Sequence, residues 1–257
     1  PNLYEVKWAD GNRLTIKSGE LKGYLDVRDG NDGLNGSNDF RGIPYYMRKM
    51  DEFVRTFART FNEGIVNSDG TKTKGHADGY TLNSKEGDEP SGIRFFTMFD
   101  ENGKPMSSAV FTAMGGNDPM YSKITAKNFS ISLDIHNDPT NNISISGAPG
   151  EVGNIDVLRE LIDLRHNPYM FNEGSPEDYV KTIISCMGVD GQLSSYYVKN
   201  QTAIINQIEN RRESVSGVSV NEEIGNLVRY QHAYKAAAKM IQTYSEILDI
   251  LVNRLGI

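Results

Sequence analysis

Residues 219–257 read SVNEEIGNLVRYQHAYKAAAKMIQTYSEILDILVNRLGI. Ser219 followed by Glu222 forms a capping box, so the spacing predicts a helix start here. No proline interrupts the stretch, and Gly225 is the only glycine before the closing Leu-Gly-Ile. Val220, Ile224, Leu227, Gln231, Tyr234, Ala238, Ile241, Ser245, Leu248, Val252 and Leu255 recur at alternating steps of four and three. That is a heptad seam held to the end of the sequence. Tyr230, Ala237, Tyr244 and Leu251 widen it on one flank, which suits a bundle rather than a two-stranded rope. Such a helix needs a partner, either another helix of the same domain or a neighbouring subunit.

The rest of the chain has to supply or forgo that partner. Its 257 residues allow one large or two modest domains with a real core. Hydrophobic residues make up 38% and charged residues 24%, as expected of a water-soluble protein. No apolar run reaches membrane-spanning length, and no signal peptide is visible. The net charge of −7, with Lys and Arg scattered, argues against a nucleic-acid partner. A single Cys186 excludes an internal disulfide and reads as a structural thiol.

From the start, Tyr4, Val6 and Trp8 alternate, Asp10-Gly11 breaks the run, and Leu14 and Ile16 alternate again, the pattern of a β-hairpin. Residues 18–27 read as a short helix or turn. Residues 29–37 form a Gly/Asn/Asp loop whose spacing fails as a calcium site, since Gly33 and Leu34 fall where a ligand and the turn glycine belong. Pro44 opens a helix carrying Tyr46, Met50, Phe53 and Phe57 on one stripe, which Gly64 ends. Residues 68–92 read as a loop. Strands are expected at 93–99, at 109–113, and along Phe129, Ile131, Leu133 and Ile135, continuing through Ile143 and Ile145. A helix over 154–165 is capped by Asn154, with Ile155, Leu158, Leu161, Ile162 and Leu164 as its apolar side. Ser175-Pro176-Glu177-Asp178 starts a long helix to about residue 214, with Gly188 and Gly191 as a weak point. The short turn at 215–218 makes it an antiparallel neighbour of the last helix.

The expected fold is therefore α+β. Long antiparallel helices form a helical-bundle or coiled-coil domain from residues 1–67 and 149–257, and a small β-rich domain is inserted over 68–148.

Several of these stretches also carry a family pattern. Ser216 to Ser219, Glu222, Glu223, Asn226, Leu227, Tyr230, Gln231, Tyr234, Ala236 to Ala238 and a closing Leu-x-x-Arg-Leu-Gly resemble the C-termini of bacterial flagellar axial proteins. SGELKGYLDVRD (18–29), IPYYMRKMDEFVRTFARTFNEG (43–64) and AKNFSISLDIHNDPTNNISIS (126–146) resemble, within that group, the hook-associated junction family. The match leaves residues 68–121 unassigned. That family opens with a helix bearing Asn-Ile-x-Asn and Gly-Tyr, which this sequence lacks, so it reads as the C-terminal part of a longer protein.

The resemblance implies a structural role, with the seam of Val220, Ile224, Leu227, Tyr234, Ala238, Ile241, Leu248, Val252 and Leu255 buried on assembly. It implies a homo-oligomer between hook and filament, contacting the hook protein and a second junction protein. It also implies a cytosolic export chaperone on the last helix, and an extracellular location reached through the flagellar export apparatus. The alternatives are an adhesin-like β domain on a helical stalk, or a rod or hook protein.

Nothing in the sequence adds an enzyme to that picture. His76, His136, His166 and His232 lie on separate segments without metal-ligand spacing, and no phosphate loop, Rossmann fingerprint or Gly-x-Ser-x-Gly is present. Glu222 and Glu223 sit in the first turn of a helix, where acids favour the dipole. No catalytic, cofactor-binding or metal-ligating residue is expected.

Overall fold

The computed structural model describes residues 7–12, 14, 16–30, 40–67, 69–115, 119–151 and 153–255. The chain divides into two units, residues 1–192 and 193–257.

In the first unit, Trp8 to Asn12 form a tight turn in which Gly11 donates to the Trp8 carbonyl at 2.9 Å and takes a positive φ of 85°. This is the expected Asp-Gly turn; of the flanking hairpin residues, Tyr4 and Val6 lie outside the described ones, and Leu14 and Ile16 are described without a strand. Nearly all of the 29–37 loop also lies outside the described residues. Helix α1 spans Glu20–Asp29.

Helix α2, Ile43–Glu63, begins on Gly42 with Pro44 in its first turn and ends at Gly64, both where the sequence places them. Gly64 has φ +75° and donates to the Thr60 carbonyl at 2.8 Å. A Cβ there would sit 1.9 Å from the Thr73 carbonyl oxygen, so only glycine lets the chain fold back along the helix end.

Helix α2 packs on two sides. On one, Ala58 joins a core of Met98, Phe111, Met120, Tyr121 and Ile124. On the other, Phe53 and Phe57 pack with Met170, Phe171 and Tyr179. Phe53 stacks on Phe171 with centroids 5.3 Å apart, and Phe61 meets Phe96 edge-on at 4.9 Å. The Tyr179 hydroxyl donates to the Lys49 carbonyl at 3.0 Å and lies 3.1 Å from Glu52.

The 68–148 stretch is less strand-rich than its alternation suggests. Strands β1, Phe96–Met98, and β2, Phe129–Ile131, form an antiparallel pair with Thr97 opposite Ser130. The expected strand at 109–113 is helix α3, Ser108–Ala113, because Ser107 caps it by accepting the Val110 N–H. Helix α4 is Pro119–Ser122. The alternation through Leu133 and Ile135 breaks after β2, where Ser132 accepts the Asp134 N–H and starts α5, Leu133–Asn137. Asp138 caps α6, Pro139–Asn142, in the same way. The continuation through Ile143 and Ile145 is a single bridge between Tyr80 and Ser146.

Helix α7, Asp156–Asp163, starts one residue later than expected, although Asn154 still accepts the Asp156 N–H at 3.0 Å. Its buried contacts are Val157 and, just beyond it, Leu164, whereas Ile162 is exposed. Val157 is fully buried yet stands off the stripe that periodicity selects.

Helix α8, Pro176–Ser216, is continuous through Gly188 and Gly191. Ser175 and Asp178 exchange hydrogen bonds at its start. In the second unit, helix α9, Val220–Asp249, is capped by Ser219, which accepts the Glu222 N–H at 3.4 Å. A π turn, Ile250–Arg254, comes next. Long helices with one two-stranded antiparallel sheet make the chain α+β.

The hinge of the first unit is polar. Asn62 is fully buried, accepts the Phe96 N–H at 3.0 Å and donates to the Phe96 carbonyl at 2.7 Å. Its amide thus acts as an extra strand residue beside β1. Asn62→Leu leaves both main-chain groups of Phe96 unpaired in the core. The expected loss is about 2–4 kcal/mol of stability. Urea unfolding checks it, with Lys127→Ala, on the surface, expected within about 0.5 kcal/mol of the parent.

Candidate functional site

Helix α9 has the local signals of a stable helix and lacks the burial of one. Ile241 is 71% exposed and Leu248 50%. Val220, Ile224, Leu227, Tyr234 and Ala238 are likewise exposed. In the second unit, 193–257, no described residue is buried. The expected antiparallel pairing therefore does not cover the seam: Leu193, Tyr197, Ile204 and Ile208 of α8 are exposed as well. An apolar face this long is covered only by surface from elsewhere.

The helix changes form near the end of the heptad pattern. Leu255 donates to the Ile250 carbonyl at 3.1 Å, five residues back, so the helix widens there. A π turn adds backbone to the turn and rotates the residues beyond it. Val252 lies within this turn and Leu255 directly after it.

The charged groups on α9 keep off the seam. Glu222 and Glu223 occupy its first turn, and Lys239 lies on the outer side. Gln242 donates to Glu246 along the helix at 3.2 Å. His232 is exposed on the same helix.

In the first unit, polar groups cluster for architecture. Glu63 Oε1 accepts from Arg94 Nε and from the Tyr121 hydroxyl, each at 2.7 Å. Burial, with the Glu63 charge beside it, pushes the Tyr121 hydroxyl far above its ordinary pKa, so it stays a donor. Tyr46 donates to Asp190 at 3.0 Å, which fixes α2 against the first turns of α8. Burial first, and that bond second, raise the Tyr46 pKa to about 12.

Sequence reasoning missed His76, which is buried, with Ile93 on one ring nitrogen and Ser144 on the other. Its neighbours in sequence are Lys74, Gly75, Ala77 and Asp78, a stretch with no apolar periodicity to mark it as core. Among the described residues, no group of three or more His, Cys, Asp or Glu is placed to hold a metal. No described helix is long and apolar enough to cross a membrane. A cavity of about 150 Å³ lies between Tyr80, Leu82, Ile145 and Ile155, and a polar cleft of about 420 Å³ between Asp69, Asp163 and His166.

The chain that carries this uncovered heptad helix is similar to flagellar axial proteins. The family described as flagellar basal body rod FlgEFG protein C-terminal matches residues 211–255, which include α9. More particularly, the chain is similar to proteins named flagellar hook-associated protein 1. The Bacillus subtilis protein of that name is 26% identical over 214 residues, 83% of this chain and 36% of its own length. The Salmonella typhimurium protein is 32% identical over 93 residues, 36% of this chain and 17% of its own. The Escherichia coli protein is 33% identical over 94 residues. The chain therefore spans about a third or less of the relatives it matches. No solved structure matches it.

Because the seam is exposed, charging it should leave the first unit intact. Ile241→Asp is expected to change the unfolding free energy of residues 1–192 by less than about 0.5 kcal/mol. Chemical denaturation of the 257-residue chain, followed by near-ultraviolet signals of the α2 aromatics, checks this.

Proposed function

We propose that the chain is part of a structural subunit of the bacterial flagellum and assembles at the junction of hook and filament. The observation that carries this reading is the uncovered seam of α9 within the region similar to flagellar axial proteins. On assembly, Val220, Ile224, Leu227, Tyr234, Ala238, Ile241 and Leu248 are buried in a helical bundle, against apolar helices that the described residues do not supply. Val252, within the π turn, and Leu255, after it, complete the seam. The partners are further copies of the same protein, the hook protein and a second junction protein.

Residues 1–67 and 149–257 make up the helical core, and residues 68–148 are an insertion. The packing of α2 against α8 supports this, through Tyr179 and Asp190. The core of Ala58 with Met98 and Phe111 also ties that insertion closely to α2.

The protein works outside the cell, delivered by the flagellar export apparatus. An exposed face of this kind is an aggregation hazard until paired. A cytosolic export chaperone on α9 supplies the cover before delivery. Once assembled, the helix contributes binding free energy and no chemistry; each buried Ile or Leu stabilises the joint by roughly 1.5–3 kcal/mol.

The test is genetic. Ile241→Asp puts a charge into the seam, at a cost of several kcal/mol once buried without a partner. Cells carrying it are expected to be non-motile and to shed filament subunits into the medium. Lys239→Glu, on the outer side, is expected to leave swimming intact. Normal swimming with Ile241→Asp, or equal damage from both changes, contradicts the proposed role of the seam.

A further inference from the structure

The His76 ring joins three segments that are far apart in sequence. It is 1% exposed and sits in a 3₁₀ turn, His76–Asp78. Nδ1 lies 2.7 Å from the Ile93 carbonyl oxygen. Nε2 lies 3.0 Å from the Ser144 main-chain nitrogen. A carbonyl can only accept and an amide N–H can only donate. The two backbone partners therefore fix one state: a neutral ring with its hydrogen on Nδ1 and a lone pair on Nε2. An imidazolium would point a second N–H at the Ser144 N–H.

The surroundings offer no way to absorb that second proton. Phe61 stacks on the ring at 6.4 Å and Phe95 meets it edge-on at 5.3 Å. Charged groups on every adjoining element are engaged elsewhere. Asp78, on the same turn, accepts from the Gly75 N–H and Lys72. On α2, Glu63 takes Arg94, which comes from the segment after Ile93. Asp138, before Ser144, caps α6. On α7, Asp156 pairs with Arg159, and Glu160 accepts the Lys74 N–H.

His76 supplies the hydrogen-bond partner of the Ser144 N–H, while the residues on either side have ties of their own: Ile143 donates to the Pro139 carbonyl, and the Ile145 carbonyl accepts the Leu158 N–H. Ser144 Oγ meets Ser91 Oγ at 2.6 Å, and Tyr80 exchanges main-chain bonds with Ser146. Helix α2 is secured independently through Phe96, Ile124 and Tyr179.

We propose that His76 is an acid-operated clasp: a second proton on its ring expels the Ser144 N–H and opens the main chain at Ser144, while α2 stays folded. This does not rest on the assembly reading.

Linkage gives the direction with pH. Burial lowers the His76 pKa below its ordinary value, outweighing the Ile93 bond, which acts the other way. The opened segment titrates near the ordinary value of about 6.5. The closed state excludes the proton, so its advantage is complete above about pH 6.5 and is lost as the pH falls toward the lowered value. Over that window the open population rises by up to about tenfold per pH unit.

Nitrogen-15 NMR of the 257-residue chain tests this. At pH 7.5 the His76 ring shifts are expected to report hydrogen on Nδ1 alone. As the pH is lowered below about 6.5 the exchange protection factor of the Ser144 amide is expected to fall, by up to about tenfold per pH unit, while that of Ala58 in α2 holds. In His76→Gln, which cannot titrate there, Ser144 protection is expected to be independent of pH. A constant Ser144 protection in the parent, a fall shared equally with Ala58, the same slope in His76→Gln, or the opposite tautomer overturns the proposal. If His76→Gln does not fold, the ring shifts and the two protection factors of the parent decide it.

Discussion

Helix α2 can bury apolar side chains on two sides only because its polar end is fully matched, and the first unit depends on that match. Asn62 is fully buried and satisfies both main-chain groups of Phe96. Glu63, the next residue, binds Arg94 and Tyr121. An unpaired polar group in either place would cost about what one large buried side chain contributes. With both satisfied, Phe53, Phe57 and Phe61 can stack through the aromatic cluster toward Phe171 on one side and Phe95 and Phe96 on the other.

Helix α9 shows the opposite outcome from a similar pattern. Both helices have clean starts, and both carry apolar residues at steps of three and four. In α2 the stripe meets chain that returns from residues 98–124 and 170–179. In α9 it meets nothing among the described residues. Local signals decide that a helix forms; whether its face is covered depends on what else is present. In the proposed role the seam stays open until its neighbours arrive.

What the sequence makes legible divides along the same line. The limits of α2, α8 and α9 are readable from Pro44 and Gly64, from Ser175 with Asp178, and from Ser219 with Glu222, because capping is a local interaction. The strands expected at 109–113 and beyond Ile131 fail for a local reason too. Ser107 and Ser132 each cap a short helix, and a serine just before such a run was the signal to weigh against alternation. Asn62 and His76 could not be found this way. Their partners lie 34 and 68 residues away, and a buried amide or imidazole has no periodicity of its own. The π turn at residues 250–254 is hidden for another reason, since the heptad pattern runs through it unbroken.

The central claim is that the α9 face, open in the single chain, closes on assembly. Hydrogen exchange of the α9 amides between residues 234 and 248, measured in the isolated chain and in purified hook–filament junctions, tests it most directly. Slow exchange in the junction, by at least a hundredfold relative to the isolated chain, is expected if the seam is buried with a gain of about 3 kcal/mol or more. Exchange equally fast in both would contradict it.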